Sequence, residues 1–405
     1  MQYRILPRTG EKLSALGYGC MRLPQKDGGI DKEAATRQIR YAIDHGVHYL
    51  DTAYMYGGSE AFLGECILKD GYREKVKVAT KLPCGMISSR EDMDRLFQEE
   101  MERLGLDCID FYLLHSMNGE LWDSMVSLGI IDFMSRLRET GRVCHIGFSF
   151  HGANKDFKRM IDAYDWDFVQ VQFNFLDENF QAGIDGIRYA HSKSLGVMIM
   201  EPLRGGVLTH NIPQEVQDIY DHAFVKRTPA EWALRWVWNH PEITVVLSGM
   251  NEDDNVRENI RIAETALPES MSEEELTVIA DVKSHYHFRI GCTGCSYCMP
   301  CPVGINIPLA FSHWNINGIE GGDAGRMFHA VMAGVSTSDG ETHWVTDCRE
   351  CGLCEKKCPQ QLPIRESLKQ LHKDMETPEW IAYAEKTRQA MQQGVTGDEF
   401  QAATN

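Results

Sequence analysis

The residues of this chain with the clearest chemical potential are eight cysteines grouped in two short runs. The first run, CTGCSYCMPCP, contains Cys292, Cys295, Cys298 and Cys301, and the second, CRECGLCEKKCP, contains Cys348, Cys351, Cys354 and Cys358. Thiolates separated by two or three residues can converge on a metal centre. The other five cysteines are scattered and are typical of small buried side chains: Cys20, Cys66, Cys84, Cys108 and Cys144.

The second run has the C-x2-C-x2-C-x3-C-P spacing of bacterial ferredoxins, and residues 285–370 resemble a two-cluster ferredoxin domain. The resemblance implies two 4Fe–4S clusters whose ligand sets cross between the runs. The sets are Cys292, Cys295 and Cys298 with Cys358, and Cys348, Cys351 and Cys354 with Cys301. Two zinc sites of four cysteines each are the alternative, and clusters that only stabilise the domain are another.

A second group of candidate residues, Asp51, Tyr56, Lys81 and His115, lies at or just after the ends of predicted strands. Reduction of a carbonyl by hydride transfer needs a proton donor, and an unperturbed phenol, with a pKa of about 10, is a poor one at neutral pH. A neighbouring ammonium lowers that pKa, a carboxylate holds the ammonium, and an imidazole can orient the carbonyl. Each residue alone also fits an ordinary structural role, so the hypothesis rests on their combination.

Short apolar strands that alternate with amphipathic helices must position these four side chains. The candidate strands are 16–19, 47–53, 76–81, 109–115, 144–149, 168–174, 196–201 and 243–249. Parallel strands buried on both faces are almost continuously apolar, so eight such units predict an α/β fold, a closed (β/α)8 TIM barrel. A doubly wound sheet is the alternative, although no GxGxxG follows the first strand.

Six stretches spread over residues 15–260 resemble the aldo/keto reductase superfamily. They are LGYGCMRLP, LDTAYMYGGSE, VATKLP, RLGLDCIDFYLLHS, HIGFSF and LSGMNEDDNVRENI. The resemblance implies a barrel that reduces aldehydes or ketones with a nicotinamide cofactor. It also implies that Tyr56 is the general acid, that Lys81 and Asp51 tune it, and that His115 orients the substrate.

The same resemblance implies the residues that contact the cofactor. Ser149 and Gln170 match the carboxamide site, Leu203 and Gly205 the pyrophosphate loop, and Ser248, Gly249, Glu258 and Asn259 the adenosine side. The chain departs from the family at Phe150, where Asn is frequent, and at Met200, where many members stack a tyrosine on the nicotinamide. Glu252 and Asn255 replace the Lys and Arg that hold the 2′-phosphate of NADPH. Carboxylates at 252–254 would repel that group, so NADH is favoured over NADPH.

The predicted barrel and the predicted iron–sulfur domain transfer different numbers of electrons, because hydride transfer moves two electrons at once whereas each cluster passes one. A tyrosine-type reductase has no step that needs clusters, so a flavin in the barrel mouth is an alternative. The chain could also be an electron-transfer module whose barrel docks a redox partner protein. A third alternative is a redox sensor in which loss of the clusters stops a conventional reductase.

Composition limits the range of partners. Lys and Arg number 41 against 59 Asp and Glu, a formal net charge of −18, which disfavours nucleic acid and anionic membranes. No apolar run approaches a membrane span or a signal-peptide core, so we expect a cytoplasmic protein with a small-molecule carbonyl or alcohol substrate. The expected domains are a barrel over 1–285, a ferredoxin-like iron–sulfur domain over 286–375 and a polar tail over 376–405.

Overall fold

The computed structural model describes residues 1–210, 212–286, 288–320, 323–334 and 341–392. They form two compact units, one of Met1–Ile212 with Ile219–Ala280 and the other of Pro213–Asp218 with the chain from Asp281 onward. The division falls inside the helix Glu273–Ser284, close to the boundary expected after residue 285. The domain bounds of the sequence analysis stay a prediction, and 393–405 of the expected tail lie outside the described residues.

The first unit contains a closed barrel of eight parallel strands. The strands are β1 (Leu16–Gly19), β2 (Tyr49–Asp51), β3 (Lys77–Leu82), β4 (Ile109–Met117), β5 (Val143–Phe150), β6 (Phe168–Gln172), β7 (Gly196–Met200) and β8 (Val245–Ser248). Each strand pairs with the next along the chain, and β8 closes on β1 in the register Val246↔Leu16. All eight strands predicted from the apolar runs are confirmed.

A hairpin of Tyr3–Ile5 and Lys12–Ser14 precedes β1. Leu6 and Leu13 of this segment pack in one buried cluster with Tyr49, Phe111 and Phe168. Because these aromatic residues lie in the first half of their strands, the hairpin closes the amino-terminal end of the barrel. The carboxyl ends of the strands are the other end, where Asp51 and Ser248 are each the last residue of a strand.

Helices alternate with the barrel strands along the chain. Their bounds are Lys32–Asp44, Ser59–Phe62, Arg90–Leu104, Gly119–Ser127, Ile130–Glu139, Asn154–Ala163, Gly183–Ser192, Gln214–His222, Pro229–Trp238, Asp253–Thr265 and Glu273–Ser284. Arg90–Leu104 shows why they begin and end where they do. Ser89 and Asp92 form a capping box at its start, and Gly105 ends it with a left-handed φ of 64°.

The second unit contains short helices and the two cysteine runs. Its helices are Ile307–Glu320, Ala324–Gly334, Leu353–Lys357, Ile364–Met375 and Pro378–Gln392. Apolar side chains including Phe311, Trp314, Leu368 and Leu371 form its core, and Cys354 is buried among them. Within the part of the chain that the structure describes, we find no helix with the length and apolar character to cross a membrane.

Candidate functional site

A buried ion pair joins the ends of β2 and β3. The ammonium of Lys81 donates to both carboxylate oxygens of Asp51 at 2.8 Å, and to the backbone oxygen of Thr52 at 2.6 Å. The side chains of Lys81 and Asp51 are 1% and 4% exposed. A buried charge pair is tolerated when further hydrogen bonds satisfy both ions, and the Thr52 carbonyl supplies one here. The ammonium is therefore fixed in position.

Tyr56 lies against this ion pair, on the loop that follows β2. Its hydroxyl oxygen is 3.4 Å from Nζ of Lys81, and the same ammonium is 4.8 Å from the centre of the phenol ring. The imidazole of His115, from β4, meets the phenol edge-on with 5.9 Å between ring centres. The structure thus brings together all four residues that the sequence analysis proposes for catalysis.

The environment of Tyr56 favours the neutral phenol. Burial raises its pKa well above the usual value, and the carboxylates of Asp51 and Glu201 raise it further, whereas Arg22 lowers it. This direction differs from the sequence-based expectation of a lowered pKa, because loss of water outweighs the nearby positive charge. Tyr56 therefore carries its proton at neutral pH, and as a phenol of raised pKa it releases that proton only to an oxygen on which negative charge is developing.

His115 is held in its neutral form. Burial lowers the pKa of its imidazole well below the usual value, and the nearby Lys81 ammonium and His151 lower it further. A neutral imidazole can donate a hydrogen bond from one ring nitrogen without competing for the proton of Tyr56. This fits a group that orients a carbonyl oxygen.

Gln170, on β6, provides an open hydrogen-bonding position. Burial raises the pKa of Asp51 on balance, and the side chain of Gln170 is one of the groups that oppose the rise. Its Nε2 is 4.0 Å from the sulfur of Met200. Its buried Oε1 has no hydrogen-bond partner among the described residues. A buried acceptor of this kind fits an amide N–H donor, such as the carboxamide of a nicotinamide.

Ser149, the other residue matched to the carboxamide site, makes bonds within the protein. Its hydroxyl accepts from the backbone N–H of Ser116 at 2.8 Å and is 3.5 Å from the carbonyl oxygen of Leu114. Ser116 has a left-handed φ of 55° and directly follows His115. Ser149 therefore fixes the backbone turn that aims His115, and its contact with a cofactor stays a prediction.

The residues matched to the rest of the cofactor lie in two places. Leu203 and Gly205 flank the buried Arg204, whose guanidinium bonds Asp177 at 2.9 Å. Asn259 donates to the hydroxyl of Ser248 at 2.8 Å, next to Gly249. Glu258 accepts instead from Thr228 at 2.7 Å, on the exposed side of the helix Asp253–Thr265. The structure joins Ser248 to Asn259 and gives Glu258 a different partner.

The acidic segment at 252–254 is partly neutralised. Arg37 bonds both carboxylate oxygens of Asp253, at 3.1 and 3.3 Å, and Gln38 bonds it at 2.9 Å. The carboxylate of Asp254 is 94% exposed and lies 3.6 Å from Arg257. We therefore expect a weaker repulsion of a 2′-phosphate than the three carboxylates suggest in the sequence.

Four residues near this site escape the sequence analysis: Cys20, Arg22, His151 and Glu201. Arg22, His151 and Glu201 contribute to the electrostatics of Tyr56 or His115, and burial together with Asp51 raises the pKa of the Cys20 thiol. Cys20, His151 and Glu201 each directly follow a barrel strand, at the ends of β1, β5 and β7. A survey of the residue after every predicted strand would have found Cys20, whereas His151 and Glu201 needed the observed strand ends, because the predicted strands end at 149 and 201.

The cysteine runs come together in the crossed manner predicted for one cluster. Cys292, Cys295, Cys298 and Cys358 line a single cavity together with apolar side chains including Ile307 and Phe311. Burial and the three other thiols raise the pKa of Cys298 to about 12. Among the described residues, no three His, Cys, Asp or Glu side chains meet as ligands of one metal ion.

The remaining thiols share the apolar core of the second unit. Cys354 is part of this core, and Cys301 and Cys348 pack against it. The backbone N–H of Glu350 is directed at the sulfur of Cys348, at 3.4 Å. Amide groups directed at thiolate sulfurs are among the features that tune iron–sulfur clusters. Cys351 is exposed, and its membership of this second set stays a prediction.

Comparison with known proteins identifies both units. The sequence profile of the aldo/keto reductase family matches residues 15–275, and that of a 4Fe-4S dicluster domain matches residues 291–363. The chain therefore belongs to the aldo/keto reductase family and carries a C-terminal 4Fe–4S dicluster domain. It is an oxidoreductase.

Individual relatives match about 70% of this chain and almost the whole of their own length. L-galactose dehydrogenase of Arabidopsis thaliana is 28% identical over 302 residues, which cover 69% of this chain and 93% of the plant protein. Protein tas of Escherichia coli is 23% identical over 359 residues, 71% of this chain and 99% of the bacterial protein. The holo form of an aldo-keto reductase from Bacillus halodurans superposes with a TM-score of 0.58, at 23% identity over 70% of this chain and 96% of its own, and shows the same fold.

Proposed function

We propose that this protein interconverts an aldehyde or ketone with the corresponding alcohol, using NADH in preference to NADPH. The observation that carries the proposal is the buried Lys81–Asp51 pair in contact with Tyr56. Such a pair costs desolvation energy, and its placement at the carboxyl end of the barrel strands is where barrel enzymes have their active sites.

When bound, a reduced nicotinamide supplies the hydride for the carbonyl carbon. Tyr56 donates its phenolic proton to the carbonyl oxygen as negative charge develops there. The fixed ammonium of Lys81, 3.4 Å from the phenolic oxygen, stabilises the phenolate that remains. Neutral His115 directs a hydrogen bond to the same carbonyl oxygen and so orients the substrate. In the reverse direction, the phenolate accepts the proton of the alcohol.

The cofactor site is proposed on the residues matched to it. Gln170 would accept from the carboxamide with its open Oε1, and Ser149 lies on the adjacent strand, paired with Gln170 in register. Ser248 and Asn259 would bind the adenosine side, while Leu203 and Gly205 would contact the pyrophosphate. The plant relative is named L-galactose dehydrogenase, which makes an aldose a reasonable first substrate to test.

The eight cysteines are proposed as ligands of two 4Fe–4S clusters. The cavity lined by Cys292, Cys295, Cys298 and Cys358 supports the crossed assignment, because Cys358 comes from the second run. Thiols are the donors that iron–sulfur clusters require, and apolar surroundings of the kind given by Phe311 limit water access. Electron transfer to a partner protein and structural support remain the two candidate roles of the clusters.

Replacement of Tyr56 by phenylalanine tests the catalytic assignment. We expect Tyr56→Phe to lower kcat by about 10²- to 10⁴-fold, the usual contribution of a positioned acid, with cofactor affinity retained. Tyr54→Phe is the matched control, because the hydroxyl of Tyr54 lies on the same loop but bonds Glu99 at 2.7 Å. Turnover of aldehydes, ketones and aldoses should be measured with NADH under anaerobic conditions. Unchanged turnover in a folded Tyr56→Phe enzyme would remove Tyr56 from the mechanism.

A further inference from the structure

Two cysteines outside the iron–sulfur unit lie side by side on the barrel. Cys108 directly precedes β4, Cys144 is the second residue of β5, and their sulfur atoms are 3.3 Å apart. Both lie at the amino-terminal ends of their strands, whereas Lys81 and His115 lie toward the carboxyl ends. The pair therefore lies at the opposite end of the barrel from the candidate catalytic site, and neither cysteine belongs to the two cysteine runs of the second unit.

The strand ladder fixes the backbone on both sides of this pair. Ile109 is paired with Val143, and Phe111 with His145, in parallel register. A disulfide needs about 2 Å between its sulfurs, so the two must approach by only about 1 Å. Cys108 lies in a bend before its strand, and the side chain of Cys144 is exposed, so both side chains can rotate toward each other.

The surroundings of the two thiols differ, and the difference orders their reactivity. Cys144 is exposed and is close enough to the ammonium of Lys77 to raise the pKa of that lysine. Cys108 is half-buried; burial, the neighbouring Cys144 and Asp110 raise its pKa to about 12, although Arg73 opposes the rise. A thiol that is exposed beside a cation is the more reactive one, so Cys144 is the first to attack an oxidant.

We propose that Cys108 and Cys144 form a redox-active dithiol that small-molecule disulfides convert to an intramolecular disulfide. The thiolate of Cys144 attacks one sulfur of the small-molecule disulfide and forms a mixed disulfide with it, while the S–S bond of the oxidant breaks and its other half leaves as a thiolate. The thiolate of Cys108 then attacks the sulfur of Cys144 and expels the second thiolate. The two cysteines lose two protons and two electrons in total, and the oxidant is reduced to two thiols.

The other barrel cysteines do not offer this arrangement. Cys20 and Cys84 are buried, and burial raises the pKa of both thiols. Cys66 is half-buried and serves as the comparison thiol. The oxidised pair would join β4 to β5, the strands that carry His115 and Ser149 toward their other ends.

The test uses the anaerobic holoenzyme in buffers that contain glutathione and glutathione disulfide at varied ratios. Remaining thiols are alkylated, the protein is digested, and the peptides are identified by mass spectrometry. We expect a peptide linked through Cys108 and Cys144 to rise from a trace to most of the protein as the buffer becomes oxidising. Dithiothreitol should reverse it, with the iron content unchanged.

Two single-cysteine variants test whether the linked peptide depends on Cys144 in particular. Cys144→Ser should abolish the linked peptide, and Cys66→Ser should leave its titration curve unchanged. The wild-type digest is informative on its own, so a variant that fails to fold does not block the test. Full alkylation of Cys108 and Cys144 in the most oxidising buffer, or separate glutathione adducts on each, would overturn the proposal.

Discussion

In the barrel, Lys81 donates hydrogen bonds of 2.6 to 2.8 Å to groups that the chain itself provides. In the second unit, Cys292, Cys295, Cys298 and Cys358 instead surround a cavity. The ion pair of the barrel is satisfied by groups of the protein, whereas the thiols are the donors that the clusters of a 4Fe–4S dicluster domain require. The difference teaches that the barrel site needs no ligand to hold its geometry, and we expect the second unit to depend on its clusters for folding.

The packing of the two units agrees with this division. Lys81 and His115 stand on β3 and β4, strands that are buried over almost their whole length. In the second unit, five of the partly buried side chains against the apolar core are cysteines of the two runs: Cys292, Cys298, Cys301, Cys348 and Cys358. Small domains with thin cores commonly depend on metal ligation for their folding energy.

Removal of iron should have the largest effect and should act on one unit only. The anaerobic protein is expected to contain about eight iron atoms per chain, and a chelator should destabilise the second unit by on the order of 10 kcal/mol, as for structural metal sites. Limited proteolysis should then cut within 288–375 while the barrel stays resistant and still binds nicotinamide. Simultaneous cleavage of both units at one chelator concentration would break the comparison.

One part of the second unit is nevertheless organised by protein contacts. The buried carboxylate of Glu376 accepts from the backbone N–H of Val345 at 2.8 Å, from His329 at 2.9 Å and from His372 at 3.0 Å. Burial raises the pKa of Glu376, but the bonds from His329 and Val345 outweigh it, so the net pKa lies below the usual value. This contact holds the segment that leads to Cys348.

A pH series on Glu376→Gln sharpens this point. Because the folded pKa of Glu376 is depressed, its contribution to stability is present above the usual carboxyl pKa and is lost as pH falls through the folded value. We expect Glu376→Gln to lower the unfolding free energy at neutral pH by about 1 to 2 kcal/mol and to flatten its fall in acid. Denaturant unfolding at each pH measures this, with the exposed Glu366→Gln as control. Parallel acid curves for wild type and Glu376→Gln would show that the carboxylate has no such role.

The strands of the barrel were predicted from the sequence more completely than the electrostatics of the candidate site at their carboxyl ends. Eight apolar runs sufficed for the strands, and strand ends sufficed for Asp51, Lys81 and His115, because parallel strands must be buried and must end at one rim. Glu201 and the direction of the Tyr56 pKa shift were missed, because both depend on which groups meet across strands and on how much water is excluded. Spacing predicted that Cys358 joins the first run, and Cys358 does line one cavity with Cys292, Cys295 and Cys298, while the two ligand sets stay a prediction.

Cofactor preference should show the smallest effect. Since Arg37 neutralises Asp253 and Asp254 is exposed, we expect NADH to bind more tightly than NADPH by no more than about tenfold, a difference of about 1.4 kcal/mol. Asp253→Asn should remove the ion pair with Arg37 and so reduce the difference between the affinities for NADH and NADPH. Dissociation constants from fluorescence titration at low salt measure both effects. Tighter binding of NADPH by the wild-type protein would reject the preference.

The most direct test of the account follows the hydrogen atom. The anaerobic holoenzyme is mixed with NADH deuterated at the transferred position of the nicotinamide and with a carbonyl substrate that it turns over. If the hydride passes directly from the nicotinamide to the carbonyl carbon while Tyr56 supplies the proton, the deuterium is recovered on the carbinol carbon of the product. The absorbance of the clusters then stays constant. Loss of the deuterium to solvent together with reduction of the clusters or of a flavin would contradict the account.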